Sequence, residues 1–525
     1  MTTYLEQNPN ELSRINNEKK YFTSDDDNID GRCEYAKDRD RIVFSKAFRR
    51  LGRKTQAYTN SKGDHYRTRL SHTLEVAQIA QSIAKRLSLN VELSAAIAYG
   101  HDIGHTPFGH EGERALNDIM IGKDSLGGVI IQRFNHGGFK HNFNGLRMLN
   151  RIEEKYPKSA GMNLTWETME GILKHTKFKN SNSFICRIDE YLDNYTQFFV
   201  DGNINILNFD NSVTLEGQIV AIADEIAQRQ HDLDDGFMDS SLNIDMYSFI
   251  SNLLSELDGL NCNTDDDEHK MICHNMICDL RRIQTDIKEN TVGTDLARDL
   301  IVRWVLNYLI YDVSLHSKKS LAQDNLETFT FKDKKCFSKK YIEFSAFGEK
   351  VNEYFADYIS SEIVNSYEIN SQDGKAVFLI RRLFKAFHSN PRQMPKHVME
   401  NIYMKVRRIS NESGNETFIS QYVKCEDFHS IKKKDLDKLI SILRLDAQSF
   451  QSGYSTDARD ESFPAEILEF IEKNKGKIVY PSNNMGNDKL IYLLNHHYIF
   501  EICDFISGMT DNYCASEYKK LFQVD

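Results

Sequence analysis

Apolar residues recur at intervals of three and four along most of this chain, which is the spacing of an amphipathic helix. The first stripe begins after Asp38, with Ile42, Phe48 and Leu51 on one face. The same spacing predicts further helices at 111–121, 139–152, 166–174, 216–230, 246–258, 268–289, 294–316, 340–366, 374–388 and 489–505. Runs that alternate between apolar and polar residues are few, so the fold is predicted to be mainly α.

Two local features modify this helical pattern. A β-hairpin is predicted between Lys54 and Arg69, because a polar stretch with Gly63 suits a tight turn. The next helix is expected to start at Ser71, a favourable N-cap residue that has Glu75 four positions later. His72 then lies in the first turn of that helix.

Changes in polarity along the chain predict five regions. Both the start of the chain and the stretch that follows the long helical region are polar and uneven. The predicted regions are an N-terminal arm at 1–37, a core at 38–240, a helical region at 241–408, an insertion or small subdomain at 409–484, and a C-terminal helix packing back on the core at 485–525.

The composition supports a large folded interior and argues against several functional classes. Hydrophobic residues make up 40% of the 525 positions, including 31 Phe and 24 Tyr. A net charge of −11 argues against a general nucleic-acid coat protein, which needs a basic face. Nine scattered Cys fit a reducing compartment better than a disulfide framework. With no apolar leader and no run of about 18 apolar residues, a soluble cytoplasmic protein without membrane contact is expected.

The densest group of candidate catalytic side chains lies between Gly100 and Glu113. These fourteen residues contain three histidines and three carboxylates, interrupted by Gly and Pro. An apolar helical pattern leads into the stretch, so His101 and Asp102 at the helix end can be aimed at one point. Such convergence suits a divalent metal with a hydrolytic water, whereas the alternative is a solvated polar loop.

Two positions elsewhere complete a candidate metal site. Asp224 interrupts the apolar run 219–227, where an unpaired carboxylate is costly, so a functional interpretation is favoured. His72 by itself is more often an ordinary polar residue at a helix start. The candidate ligands are thus His72, His101, Asp102 and Asp224. This mixed set suits six-coordinate Mn²⁺ or Mg²⁺ with open positions, and Fe²⁺, Co²⁺, Ni²⁺ or Zn²⁺ are alternatives.

The order of these ligands, each in its own helical context, resembles the HD-domain phosphohydrolases. The surrounding motifs are similar to those of the deoxynucleoside triphosphate triphosphohydrolases, the dGTPase-like family. They are Phe48–Leu51 with Lys54–Gln56, Arg67–Val76, His101–His110, Ala223–Ala227, His231–Asp235 and Phe505–Asp511. The resemblance is dense over 38–235, patchy over 373–395 and returns at 500–515. It implies an HD-domain helical bundle with additional helical regions and a few short β-hairpins. By the same resemblance, 38–240 is the HD-domain catalytic core and 241–408 is the region that completes the substrate pocket.

The resemblance also implies an activity and roles for individual residues. The expected reaction is metal-dependent hydrolysis of a deoxynucleoside triphosphate, foremost dGTP, at the α-phosphorus, yielding a deoxynucleoside and inorganic tripolyphosphate. His110 matches the catalytic proton donor, and Glu113 matches the carboxylate expected to orient it. The positions that match substrate-binding residues are Gln56 for the nucleoside, His105 and Lys174 for phosphates, and Asp232 for the 3′-hydroxyl. Arg69 and His141 match a further active-site Arg and His of the family and are placed in the same set.

The chain departs from the family at Gln228, where a Tyr that packs on the deoxyribose is usual. Discrimination against a 2′-hydroxyl is therefore an open question. Asn144 stands where Gln is usual. For the substrate-binding set, the plainer interpretations are surface charges for Arg69 and Lys174 and a helix-start polar residue for His141.

Two other functions remain open at the level of sequence. One is a different HD phosphohydrolase, such as a nucleotidase or phosphodiesterase. The other is a regulatory protein that binds nucleotides or single-stranded DNA on a decayed HD scaffold, against which the complete ligand set argues. The resemblance further implies a homo-oligomer, a hexamer in many members, and a nucleotide or single-stranded DNA effector.

Overall fold

The computed structural model describes residues 32–56, 67–130, 136–153, 161–176, 211–259, 267–324, 326, 337, 339–412, 428, 431–444 and 487–523. These residues are predominantly helical. The helices are α1 Glu34–Val43, α2 Lys46–Arg50, α3 Arg69–Arg86, α4 Val91–Gly100, α5 Gly109–Met120, α6 His141–Arg147, α7 Trp166–Lys174, α8 Leu215–Met238, α9 Met246–Gly259, α10 Asp267–Lys288, α11 Thr294–Gln323, α12 Ala346–Tyr358, α13 Tyr367–Ser389, α14 Lys396–Glu412, α15 Lys433–Leu443, α16 Asn487–Ser507 and α17 Asp511–Phe522. Two π-helical turns, Met148–Ile152 and Ile359–Val364, extend α6 and α12.

The chain divides into two compact units, each built from separate segments. Unit 1 takes the described residues of Met1–Ile103, Gly145–Phe178 and Tyr195–Asp373, and unit 2 takes those of Gly104–Asn144 and Gly374–Asp525. The five regions proposed from the sequence divide the chain differently and stay a prediction. Most of the predicted insertion at 409–484 lies outside the described residues.

In unit 1 the apolar helix α4 is the central element. It packs against α1, α3, α7 and α8, and most of its residues, including the run Leu93–Ala98, are buried. Two glycines permit the close approach of α4 to α7: a Cβ at Gly100 would lie 2.3 Å from Ile172, and one at Gly171 would lie 2.4 Å from Ile97. The C-terminal end of α4, where the His-Asp pair follows, is therefore held by tight steric contact.

In unit 2 a separate apolar core joins α5 to the C-terminal helices. Its buried members come chiefly from α5, α13, α14, α15 and α16, including Leu116, Phe384, Tyr403 and Ile502. Gly112 allows α5 to pack closely against the turn that precedes it. Any larger residue would clash, since a Cβ at this position would lie 2.0 Å from the carbonyl oxygen of Pro107. This core supports the turn and first residues of α5.

The structure confirms the mainly α fold, and most of the predicted helices are present, including 246–258, 268–289 and 294–316. The helix predicted at 340–366 begins later than expected, at Ala346. The start of α3 was predicted wrongly, at Ser71. Thr68 caps the helix instead: its side chain accepts from the Ser71 N–H, and the Ser71 hydroxyl accepts from the Thr68 N–H, a reciprocal capping box. Arg69 therefore belongs to the first turn of α3.

Short β-hairpins were also expected, and among the described residues the only strand-like pairing is an antiparallel bridge between Thr55 and Thr68. The turn of the predicted hairpin lies outside the described residues. Within the part of the chain that the structure covers, no helix is both long enough and apolar enough to cross a bilayer.

Candidate active site

Three helices of unit 1 bring the four proposed metal ligands together. His72 comes from the first turns of α3, His101 and Asp102 directly follow α4, and Asp224 lies near the middle of α8. Nε2 of His72 is 2.9 Å from Oδ1 of Asp224 and 3.9 Å from Oδ2 of Asp102. Nε2 of His101 is 3.5 Å from Oδ1 of Asp102 and 3.6 Å from Oδ1 of Asp224. We call these four residues the metal cluster.

The free ring nitrogen of His101 supports a metal in this cluster. Nδ1 of His101 lies 2.6 Å from the carbonyl oxygen of Ala98, which can only accept, so Nδ1 carries a hydrogen. In the neutral ring Nε2 then offers a lone pair, and this buried atom has no hydrogen-bond partner among the described residues. A buried, correctly oriented imidazole nitrogen facing two carboxylates is what a divalent cation needs.

The electrostatics of the cluster favour positive charge. Burial opposes a charge on His101, but the neighbouring Asp102 and Asp224 outweigh it and raise the pKa of His101 to about 9. Burial likewise opposes a charge on Asp224, yet the imidazoles of His101 and His72 hold the pKa of this carboxyl well below its usual range. Without a metal, protons supply the cationic charge, and a bound divalent ion displaces them.

Arg69 contacts the metal cluster directly, through the carboxylate of Asp102. Its Nη1 donates to Oδ2 of Asp102 over 2.7 Å, and both side chains are almost fully buried. The Nε and Nη2 atoms of Arg69 are buried without a hydrogen-bond partner in the described part of the chain. The side chain therefore orients Asp102 and retains two unused donors, as its predicted place among the substrate-binding residues requires.

Sequence reasoning missed three residues around this cluster. His231 of α8 places its Nδ1 3.1 Å from Nδ1 of His72, and its Nε2 contacts the Glu75 carboxylate. His175 packs its ring edge-to-face on His101, with centroids 5.2 Å apart. Both histidines are buried. The signal available in the sequence was their place in motifs, at Lys174-His175 and His231-Asp232, but only the fold shows what they touch.

A second cluster forms in unit 2 around Glu113, which we call the imidazole cluster: His105, His110, Glu113, Lys140 and His141. The Glu113 carboxylate accepts from Lys140 Nζ at 2.6 Å, from the His141 backbone N–H at 2.9 Å and from His141 Nδ1 at 2.5 Å. Burial opposes the charge of Glu113, but His141 and Lys140 hold the pKa of this carboxyl well below its usual range. Glu113 is thus a fixed anion.

This arrangement differs from the expected pairing of Glu113 with His110. Among the described residues Glu113 bonds to His141 and Lys140 instead, because the chain before α6 brings both next to it. His105 stacks on His141 with ring centroids 3.8 Å apart and meets the His110 ring edge-to-face at 5.4 Å. His110 is the exposed member of the cluster. The catalytic roles of His110 and Glu113 stay predictions.

The turn before α5 places the imidazole cluster and depends on the C-terminal motif. Phe108 adopts a left-handed conformation with φ of 60°, and its N–H donates to Oδ1 of Asp511 at 2.9 Å. Asn144 donates to the carbonyl oxygen of Gly104 at 2.8 Å and to the Ser507 hydroxyl at 3.3 Å. The Ser507–Asp511 segment thereby holds the chain on both sides of His105.

The other predicted substrate residues lie in unit 1. Oε1 of Gln56 is buried without a hydrogen-bond partner in the described part of the chain. Lys174 is buried and pairs with Glu170 at 3.0 Å. Burial, with repulsion from Asp235, raises the pKa of Asp232 to about 7, so this carboxyl can either donate to or accept from a hydroxyl near neutral pH. Their contacts with a substrate stay predictions.

Comparison with known proteins relates this geometry to a family. A family model described as the HD domain matches residues 69–228, which include all four residues of the metal cluster. The chain is 32% identical over 394 residues to the "Deoxyguanosinetriphosphate triphosphohydrolase-like protein" of Geobacter sulfurreducens, covering 75% of this chain and 85% of that protein. Proteins with the same name match from Pelagibacter ubique, at 33% identity over 69% of this chain and 84% of theirs, and from Rickettsia bellii, at 32% over 75% and 88%.

Proposed function

The chain belongs to the deoxyguanosinetriphosphate triphosphohydrolase-like family of HD-domain phosphohydrolases, and we propose that it hydrolyses deoxynucleoside triphosphates. The bond cleaved is that between the α-phosphorus and the 5′-oxygen, so the products are a deoxynucleoside and inorganic tripolyphosphate. dGTP is the proposed preferred substrate. Mn²⁺ or Mg²⁺ is the proposed metal.

The observation that carries this proposal is the metal cluster with its unpartnered His101 Nε2 atom. His72, His101, Asp102 and Asp224 would hold a divalent cation and leave coordination positions open. Such an ion lowers the pKa of a water molecule and polarises a phosphoryl oxygen. Phosphoryl transfer needs little more from the protein than positioning and neutralisation of charge.

The residues of unit 1 that surround the cluster bind and orient the substrate. Arg69 keeps Asp102 in position through Nη1 and offers Nε and Nη2 to phosphate oxygens. Lys174 adds a cation when it exchanges Glu170 for a phosphate. At the nucleoside end, the free Oε1 of Gln56 accepts a hydrogen bond, and Asp232 meets the 3′-hydroxyl.

The imidazole cluster of unit 2 supplies the proton. The departing 5′-oxygen must be protonated, and the exposed His110 imidazole is the proposed general acid. Glu113 holds Lys140 and His141 in position beside it. His105 and His141, stacked on each other, are the further members of this cluster in the proposed substrate-binding set.

A product assay tests the proposal. The protein is incubated with each of the four dNTPs and Mn²⁺, and the products are separated by anion-exchange chromatography. Tripolyphosphate and deoxynucleoside in equal amounts are expected, with the fastest turnover for dGTP. Pyrophosphate or orthophosphate as the primary product contradicts it and indicates another HD phosphohydrolase.

Metal dependence is tested in the same assay. EDTA should abolish turnover, and excess Mn²⁺ or Mg²⁺ should restore it. His101→Ala should reduce turnover by about 10³-fold or more, because the loss of a first ligand removes the ion that generates the nucleophile. Hydrolysis by His101→Ala at the wild-type rate would show that the metal cluster is not the catalytic centre.

A further inference from the structure

His72 is in contact with a second histidine on its side away from the other metal ligands. The distance between Nδ1 of His72 and Nδ1 of His231 is 3.1 Å, while Nε2 of His72 faces Asp224. Both rings are about 1% exposed, so water does not replace this contact. The two nitrogens cannot both carry a hydrogen, which makes the direction of this bond a question of protonation.

The requirements of a metal ligand determine that direction. A histidine that binds a metal through Nε2 has its hydrogen on Nδ1, so His72 must donate and His231 must accept through Nδ1. A neutral His231 then carries its hydrogen on Nε2. That atom contacts the Glu75 carboxylate, which can only accept when ionised. All three groups agree on one arrangement, with donation from His72 to His231 and from His231 to Glu75.

Glu75, the last group in this chain of hydrogen bonds, is held in place by ion pairs. Nε of Arg67 lies 3.5 Å from the Glu75 carboxylate. The same guanidinium binds Asp234 at 2.7 Å and Asp235 at 3.0 Å, and Arg298 of α11 binds Asp234 at 3.1 Å. Glu75 itself is 41% exposed. The network holds Glu75 against His231 although the carboxylate is at the edge of the unit.

We propose that His231 and Glu75 are positioning residues that hold His72 in the tautomer whose Nε2 binds the metal. The inference rests on the proposed function only in taking His72 as a ligand. A carboxylate or carbonyl next to a ligating histidine is the common partner; here a second imidazole stands between the ligand and the carboxylate. The acceptor at residue 231 is therefore the feature that matters.

Two substitutions at 231 separate this role from simple packing. His231→Leu fills the space but provides no acceptor, whereas the side-chain oxygen of His231→Asn stands near the position of Nδ1 and can accept from His72. The affinity of each protein for Co²⁺ is measured by competition with a chelator, and the visible spectrum of bound Co²⁺ reports the ligand geometry. Neither readout requires substrate.

The expected loss in Co²⁺ affinity for His231→Leu is about 10- to 100-fold, with an altered Co²⁺ spectrum, since outer partners of ligating histidines have effects of that size. His231→Asn should recover most of the affinity and the wild-type spectrum. Equal affinities of the Leu and Asn variants overturn the proposal, and so does a wild-type protein that binds no Co²⁺.

Glu75 provides a second test if His231→Leu does not fold. Glu75→Ala alters a half-exposed side chain, and Glu92→Ala is its matched control, because Glu92 is also an ion-paired carboxylate with 39% exposure. Weaker Co²⁺ binding is expected for Glu75→Ala alone. Equal Co²⁺ affinities of the two variants contradict the proposed chain of hydrogen bonds from His72 through His231 to Glu75. A wild-type protein that binds Co²⁺ but releases no tripolyphosphate refutes the proposed function and leaves these comparisons valid.

Discussion

Nη1 of Arg69 lies 2.7 Å from Oδ2 of Asp102, and both side chains are buried. An arginine expected to bind substrate thus also holds one of the proposed metal ligands in place. Its positive charge neutralises part of the negative charge of the carboxylates in the cluster. Loss of this arginine should consequently affect stability, metal binding and turnover together.

Arg69→Met tests this double role. Removing one partner of a buried ion pair is expected to lower the free energy of unfolding of the metal-free protein by about 3 kcal/mol, because Asp102 loses its compensating charge. Added Mn²⁺ should raise the melting temperature of the variant by more than it raises that of the wild type. Differential scanning calorimetry with and without Mn²⁺ provides the measurement. An unchanged metal-free melting temperature would contradict the prediction.

Gly171→Ala should destabilise the packing of α7 against α4, the helix that His101 and Asp102 follow. The new Cβ would lie 2.4 Å from Ile97 Cδ1 on α4, so a cost of about 1–3 kcal/mol in the free energy of unfolding is expected from overpacking. Gly374→Ala is the control, since nothing lies within 4 Å of its Cβ. Urea denaturation compares them. The double variant Gly171→Ala/Ile97→Ala should lose less than the sum of the single effects.

Glu216→Gln should alter the dependence of stability on pH. Burial raises the pKa of Glu216 to about 7, although its carboxylate accepts from the Asn90 N–H at 2.9 Å. Between its unfolded pKa near 4.5 and about 7 the folded protein binds the extra proton, so wild-type stability falls as pH rises through this window. Glutamine keeps the acceptor without the charge.

The expected gain for Glu216→Gln is therefore about 1–3 kcal/mol at pH 8 and close to zero at pH 4. Urea denaturation at both values measures it, with the partly exposed Glu92→Gln as the control. A gain that is the same at pH 4 and pH 8 would mean that the titration of Glu216 does not contribute.

Asp511→Ala should reduce turnover through the turn before α5. Asp511 accepts the Phe108 N–H at 2.9 Å and thereby holds a left-handed residue two positions before His110. Loss of this acceptor should lower kcat by about tenfold or more, because small displacements of catalytic groups are costly. Asp511→Asn, whose side-chain oxygen still accepts, should stay within a few-fold of the wild type. Similar kcat values for the Ala and Asn variants would exclude this role.

Gln228→Tyr tests sugar discrimination. Gln228 is half-buried on α8, one turn after Asp224. A ring at this position should exclude a 2′-hydroxyl and lower kcat/KM for GTP by about 10- to 100-fold relative to dGTP. Gln228→Leu, which lacks the ring, is the control. An unchanged ratio of the two kcat/KM values would show that sugar discrimination lies elsewhere.

Much of the fold was readable from local patterns. The 3.6-residue period located both ends of α9 and α10 and the start of α11 to within one residue, because each helix buries one apolar face. Only the C-terminal end of α11 lies further along the chain than predicted. The start of α3 was misplaced because Thr68 and Ser71 are both good caps, and local chemistry does not choose between them. The expected hairpins were reduced, in the described residues, to the Thr55–Thr68 bridge.

Sequence patterns showed which side chains are available for chemistry, and they predicted a group of four, His72, His101, Asp102 and Asp224, whose side chains the structure brings close together. These patterns did not determine the partners of those side chains. Glu113 was expected from the family resemblance to orient His110, but the tertiary structure pairs it with Lys140 and His141. The contact of His231 with His72, 159 positions apart, is equally invisible in the sequence. Periodicity describes how one helix is buried, whereas the pairing of side chains depends on how different helices pack, and that is decided by long-range contacts such as those of Gly100 and Gly171.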